Sequence, residues 1–222
     1  DPEITQTYSN PFGSDFSGII NEDTDEEDEM VEIDCIYGEN HNGSFIEDPE
    51  ICCINEDQII SHRHYSIKHS PKNAQVKKFS MRNNHKINFL PQGLGNSFPI
   101  LEHIDIENTG IASIDRKYFQ NLAHLETLKL DFNRIKSFES DTFDDLNFLK
   151  ELSMKGNLME ILEERIFNKL KGLKKIDLSG NALHYIHPKT FKFLKKLTDL
   201  LLNNNQLTVI EESSFKFNPN LE

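Results

Sequence analysis

The sequence has no tryptophan and only 3 cysteines in 222 residues. No run of apolar residues comes near the roughly 18 that a membrane span requires. The common catalytic signatures are also missing: there is no Gly-x-Ser-x-Gly elbow, no P-loop, no dinucleotide-binding glycine fingerprint and no His-Glu-x-x-His pair. The cysteines are confined to residues 35–53, no cluster of catalytic groups is legible, and an enzyme is not expected. Two stretches lack charge of one sign. Residues 1–34 hold 12 acidic and no basic side chains, and residues 58–101 hold 7 basic and no acidic ones. The first residues, Asp1-Pro2-Glu3, have no basic start and no apolar run, which fits either a cytosolic chain or one that has lost a signal peptide.

What is present is a net charge of −13 with a moderate 36% of apolar residues, enough for one or two domains with a real core. A chain this acidic repels phosphate backbones, so nucleic acid is not an expected partner of the whole protein. The charge concentrates in an arm, residues 1–34, whose run Glu22-Asp23-Thr24-Asp25-Glu26-Glu27-Asp28-Glu29 is too charged to offset its ordering entropy; disorder in the free chain is expected. Asp23, Asp25 and Glu27 alternate as in a calcium loop, but Asp28 stands where the turn needs glycine, and no metal site is expected there. His62-x-His64 lacks a third ligand at sensible spacing, and His184 and His187 read as solvated. Arg63, Lys68, Lys72, Lys77, Lys78, Arg82 and Lys86 make the basic stretch, over which the arm is expected to fold.

From Val76 onward the chain repeats. Leu101, Leu125, Leu149, Leu173, Leu197 and Leu221 recur every 24 residues, each of the first five followed at the third and fifth places by apolar residues, as in Leu128 and Leu130. At the eighth place stand Thr109, Asn133, Asn157, Asn181 and Asn205; Phe119, Phe143, Phe167, Phe191 and Phe215 keep the same 24-residue register. A copy beginning at Val76 slips by one residue before Ile87. Two apolar residues flanking one polar residue share a face of a short strand. One such strand per repeat cannot bury that face alone, so successive copies must stack in parallel. An asparagine amide at the turn both donates and accepts, so Asn133, Asn157, Asn181 and Asn205 are expected to form a buried ladder bonded to the backbone. The phenylalanines are expected to be core.

The pattern Leu-x-x-Leu-x-Leu-x-x-Asn-x-Leu-x-x-Ile followed by x4-Phe-x-x-Leu, as in Leu173 to Leu194, resembles the 24-residue leucine-rich repeat of extracellular proteins and receptor ectodomains. The segment Leu90 to Glu102, which leads into the first full repeat, resembles secreted or membrane-anchored leucine-rich-repeat proteins of insects. The resemblance implies an α/β solenoid: a horseshoe with parallel strands on its concave face, irregular or short-helical convex segments, an N-terminal disulfide cap and a protein-recognition role. The expected organisation is an acidic arm over residues 1–34, a cap and basic stretch over 35–75, and about six repeats over 76–222 with a seventh incomplete. Cys35 can pair with Cys52 or Cys53; strand parity puts Cys52 on a face with Ile54, and the family's caps favour Cys35–Cys52. Cys53 is then left over, for an intermolecular disulfide or as a buried free thiol. Asn42, in Asn42-Gly43-Ser44, is the single glycosylation acceptor and fits secretion.

Function is expected on the strand positions facing away from the core. The candidate partner-binding residues are Arg82, Asp105, Glu107, Lys129, Asp131, Phe132, Lys155, Asp177, Leu201 and Asn203, with Phe132 and Leu201 the apolar exceptions. Opposite charges are expected to pair across strands as Asp105 with Lys129, Asp131 with Lys155, and Glu151 with Lys175 and Asp199. The resulting expectation is an extracellular module, secreted or part of an ectodomain, that binds a protein ligand or co-receptor in immunity, adhesion or signalling without a cofactor. The other readings are a matrix protein whose acidic arm binds cations or basic proteins, and an intracellular repeat scaffold. The stack end at Leu221 is expected to continue into further chain or to be covered in a homo- or hetero-dimer.

Overall fold

The structure, a computed structural model, describes residues 31–41, 44–46, 48–54 and 65–221. Asn42, His62, His64, Arg63 and the arm up to residue 30 lie outside the described residues.

An eight-stranded sheet runs in chain order through Ile36–Tyr37, Ile51–Ile54, Lys78–Arg82, His103–Glu107, Thr127–Lys129, Glu151–Ser153, Lys175–Asp177 and Asp199–Leu201. The first pair is antiparallel and every later pair is parallel. Leu128 lies opposite Leu152, which lies opposite Ile176, which lies opposite Leu200, so the register is the 24-residue repeat. Phe79 lies opposite Ile104, one residue further, because the first copy holds an extra residue between Asn84 and Ile87. The slip is absorbed before Ile87, whose carbonyl accepts from Gly110 N–H just as that of Ile111 accepts from Arg134 N–H.

The inward side chains form one continuous core. The leucines that open the five full repeats, the paired strand residues of the first four and Phe119, Phe143, Phe167 and Phe191 are all buried. Adjacent rings touch at centroid distances of 5.6 Å for Phe119 with Phe143 and 6.2 Å for Phe167 with Phe191. At the last repeat Leu200, Leu202 and Phe215 are only partly buried. Among the described residues there is little helix: one α-helical turn at Leu94–Ser97 and the 3-10 turns Pro71–Gln75, Arg116–Phe119 and Glu212–Phe215, while a two-stranded parallel pair joins Ile161–Leu162 to Tyr185–Ile186.

The asparagines at the eighth place are interlocked. Asn157 Nδ2 donates to Leu130 O at 2.8 Å and Met154 O at 3.0 Å, while its Oδ1 accepts from Ile135 N–H at 3.0 Å. Asn181 and Asn205 repeat this geometry one and two turns later. Asn133 donates to Ile106 O and Leu130 O, but its Oδ1 takes the hydroxyl of Thr109, the residue that stands where the preceding repeat lacks asparagine. Each shared carbonyl therefore receives two amide donors, from its own repeat and from the next.

At the N-terminal end, Cys35 and Cys52 form a disulfide. The strand that begins at Val31 stops at Ile33, short of Cys35, and pairs in parallel with Tyr65–Ile67 rather than with Ile51–Ile54. Buried Tyr65 donates its hydroxyl to Phe89 O at 2.7 Å, and burial raises its pKa well above the ordinary tyrosine value. Ile51–Ile54 continues directly into the repeat sheet, so the core runs unbroken from cap to solenoid.

Candidate functional site

Three rows of side chains cross the concave face. The middle row is Cys53, Ser80, Asp105, Lys129, Ser153, Asp177 and Leu201, each opposite the next. Cys53, the cysteine outside the Cys35–Cys52 disulfide, thus stands at the head of this row, its Sγ donating to Gly38 O. Alternation made this readable: once Cys52 faces the core, its neighbour must face the other way. The row dips in the middle, since Ser80, Asp105 and Ser153 are buried.

Of the expected charge pairs, Glu151 with Lys175 forms, and the other charges pair differently. Asp105 takes Arg82, with Glu107 3.8 Å from the same guanidinium, and Asp105 is only 7% exposed. It therefore positions Arg82 instead of offering its own carboxylate to a partner. Lys129 is instead 3.9 Å from Glu151, which also takes Lys175 at 3.5 Å. Asp199 accepts the Thr198 hydroxyl at 2.7 Å. Asp131 accepts from Ser153 Oγ at 2.5 Å and from Lys155 backbone N–H at 2.9 Å, while the Lys155 ammonium lies over the Phe132 ring, 5.5 Å from its centroid. Burial is the main cause that raises the Asp131 pKa, partly offset by those two hydrogen bonds. Glu107 and Asp177 are half-exposed, and Asn203 is exposed at the open end beside Leu201.

Backbone geometry singles out Phe132. The residues just before the ladder position are Asn83, Asn108, Phe132, Gly156, Gly180 and Asn204, and all six have φ between 53° and 67°. Glycine and asparagine enter this left-handed region at low cost; a phenylalanine there is strained by about 1–3 kcal/mol. Phe132 is nevertheless 45% exposed, at the lip of the concave face. Its ring lies over Gly156, where an added Cβ would fall 2.5 Å from a ring carbon. The neighbouring repeat thus has glycine where the ring needs room. Leu201, at 37%, is the other exposed apolar side chain of the face. Among the described residues no group of three or more His, Cys, Asp or Glu could hold a metal ion, and no helix is long and apolar enough to cross a membrane.

The leucine-rich-repeat family model matches residues 74–135, 99–159, 123–183 and 157–207. No curated protein matches the chain. Among solved structures it is similar to one described as "Crystal structure of TLR13-ssRNA13 complex", at 20% identity and a TM-score of 0.45, covering 72% of this chain and 31% of that one. The chain thus spans about a third of that relative's length. The family model covers well over half of the sequence, and the parallel strands and the asparagine ladder follow the same repeat. The chain belongs to the leucine-rich-repeat family.

Proposed function

We propose that this solenoid is an extracellular recognition module, of the 24-residue class, that binds a protein partner across its concave face with Phe132 as the anchor. The observation that carries this reading is an exposed aromatic ring held in a strained backbone conformation where the other repeats use glycine or asparagine. Strain kept at an exposed position, with no core contact to justify it, is characteristic of binding sites. Aromatic anchors are the usual centres of protein interfaces, and here the Lys155 ammonium lies over the ring. The Cys35–Cys52 disulfide supports an oxidising compartment, and with it a secreted or ectodomain location.

The test is capture of a partner from extracellular fluid or cell surfaces, identified by mass spectrometry and then titrated. Phe132→Ala is expected to weaken binding by 10-fold or more, roughly the 1.4 kcal/mol or above of a hot spot. Phe148→Ala, an exposed ring away from the concave face, is expected to leave binding unchanged. Equal losses from both substitutions would contradict the reading.

A further inference from the structure

A second surface lies on the flank where the chain enters the strands. Residues 165–198 hold nine basic side chains against the single acid Asp177, a net +8 within a chain of net −13. Arg82 and Lys77 in the other basic stretch are met by Asp105 and Glu50, and Lys68 by Asp34. On this flank, among the described residues, no carboxylate lies within salt-bridge distance of Lys171, Lys174, Lys192, Lys195, Lys196 or Lys216, which are exposed or half-exposed. The 24-residue repeat sets Lys171 beside Lys195, and Lys192 beside Lys216, one strand spacing of about 4.8 Å along the stack.

The lysines also converge. The ammonium groups of Lys195, Lys216 and Lys192 lie 4.6, 4.9 and 5.8 Å from the centroid of the Phe217 ring, and Lys195 Nζ further donates to Phe217 O at 3.3 Å. Lys192 is also 5.3 Å from the ring of Phe193. Three cations around one ring repel each other, and the ring quadrupole compensates only part of that repulsion. An anion at this point would neutralise all three. Nothing in the concave site needs this arrangement.

We propose that the flank built on Lys171, Lys192, Lys195 and Lys216 around Phe217 binds a linear sulfated polysaccharide. Ammonium groups are compact point charges suited to sulfate, and rows repeating along the stack suit a polymer whose anionic groups also repeat. Single-stranded nucleic acid fits less well, because base stacking needs open ring faces and lysines already crowd that of Phe217. A membrane fits less well because insertion needs protruding apolar side chains, whereas Phe217 is half-buried beneath cations.

The test uses the whole chain and a heparin dodecasaccharide, with affinity measured across a salt series. The triple variant Lys192→Gln/Lys195→Gln/Lys216→Gln is expected to lose 10-fold or more in affinity and to lower the slope of log Kd against log salt by about 2, the counterions no longer released. Lys86→Gln, an exposed lysine of the other basic stretch, is expected to change neither quantity by more than about twofold, and Phe132→Ala likewise, which separates this site from the concave one. Thermal melts unchanged from wild type would show that the triple variant is folded. The proposal is overturned if the triple variant binds as wild type does or Lys86→Gln loses as much. It is equally overturned if desulfated heparin, a dodecathymidine or phosphatidylserine vesicles bind as tightly as the sulfated probe.

Discussion

The asparagine ladder gives a prediction that separates an interlocked network from a row of independent hydrogen bonds. Asn157→Leu replaces a buried amide by an apolar group of similar shape. The substitution removes two donors and one acceptor, yet it orphans only one backbone group. Leu130 O keeps Asn133 and Met154 O keeps Asn181, whereas Ile135 N–H loses Asn157 Oδ1. Asn181→Leu acts in the same way on Met159 N–H. Each single variant should therefore lose about 1–3 kcal/mol, the penalty for one unsatisfied buried group with its lost bonds. In the double variant Met154 O loses both of its amide donors, Asn157 and Asn181, and becomes a third orphan. Its loss should exceed the sum of the singles by about 1 kcal/mol. Urea unfolding of the four proteins at constant m-value measures this directly. Additivity within about 0.3–0.5 kcal/mol, the ordinary behaviour of uncoupled sites, would refute the shared-carbonyl account.

Other expectations follow from single contacts. Phe143→Ala removes a 1% exposed ring that touches Phe119 and Phe138, and should cost about 3–5 kcal/mol in chemical denaturation. Cys35→Ser/Cys52→Ser opens a loop of 17 residues and should cost about 3 kcal/mol, while Cys53→Ser should leave stability near wild type, as read by thermal melting. Phe132→Gly removes left-handed strain from an exposed residue, so it should melt no lower than wild type even as it loses the anchor ring. The Asp131 pKa is raised in the folded state, so folded protein binds the proton more tightly than unfolded chain, and the ionised carboxylate weakens the fold at neutral pH. Asp131→Asn should accordingly compare most favourably with wild type at pH 7. Its relative stability should fall on acidification through the raised pKa and level off below about pH 4, as followed by denaturation at several pH values.

The repeat was legible because a solenoid imposes its packing on the sequence at one fixed period. Leu125, Leu149 and Leu173 announce the same core position three times, and Asn157 and Asn181 the same turn. Singular features were harder to read. Phe132 looked merely like an apolar residue on a polar face. Its meaning lies in φ, and the clue was the column Gly156, Gly180 and Asn204, residue types that tolerate left-handed backbone. The pairing of Asp105 with Arg82 was missed because side-chain reach, which pleat parity does not fix, selects between neighbours on either side. The lysine flank is hidden in the net charge, because residues 102–164 carry a net −7 that cancels most of the +8 of residues 165–198. Charge has to be followed repeat by repeat, because a ligand meets one face of the stack at a time.

The most direct test of the recognition role is hydrogen exchange on the chain with and without its captured partner. Protection concentrated in residues 127–132 and 151–155, lost with Phe132→Ala and retained when the Lys192, Lys195 and Lys216 side chains are neutralised, is the predicted result. Protection confined to the convex segments or the lysine flank, with residues 127–132 exchanging as in the free chain, would contradict it.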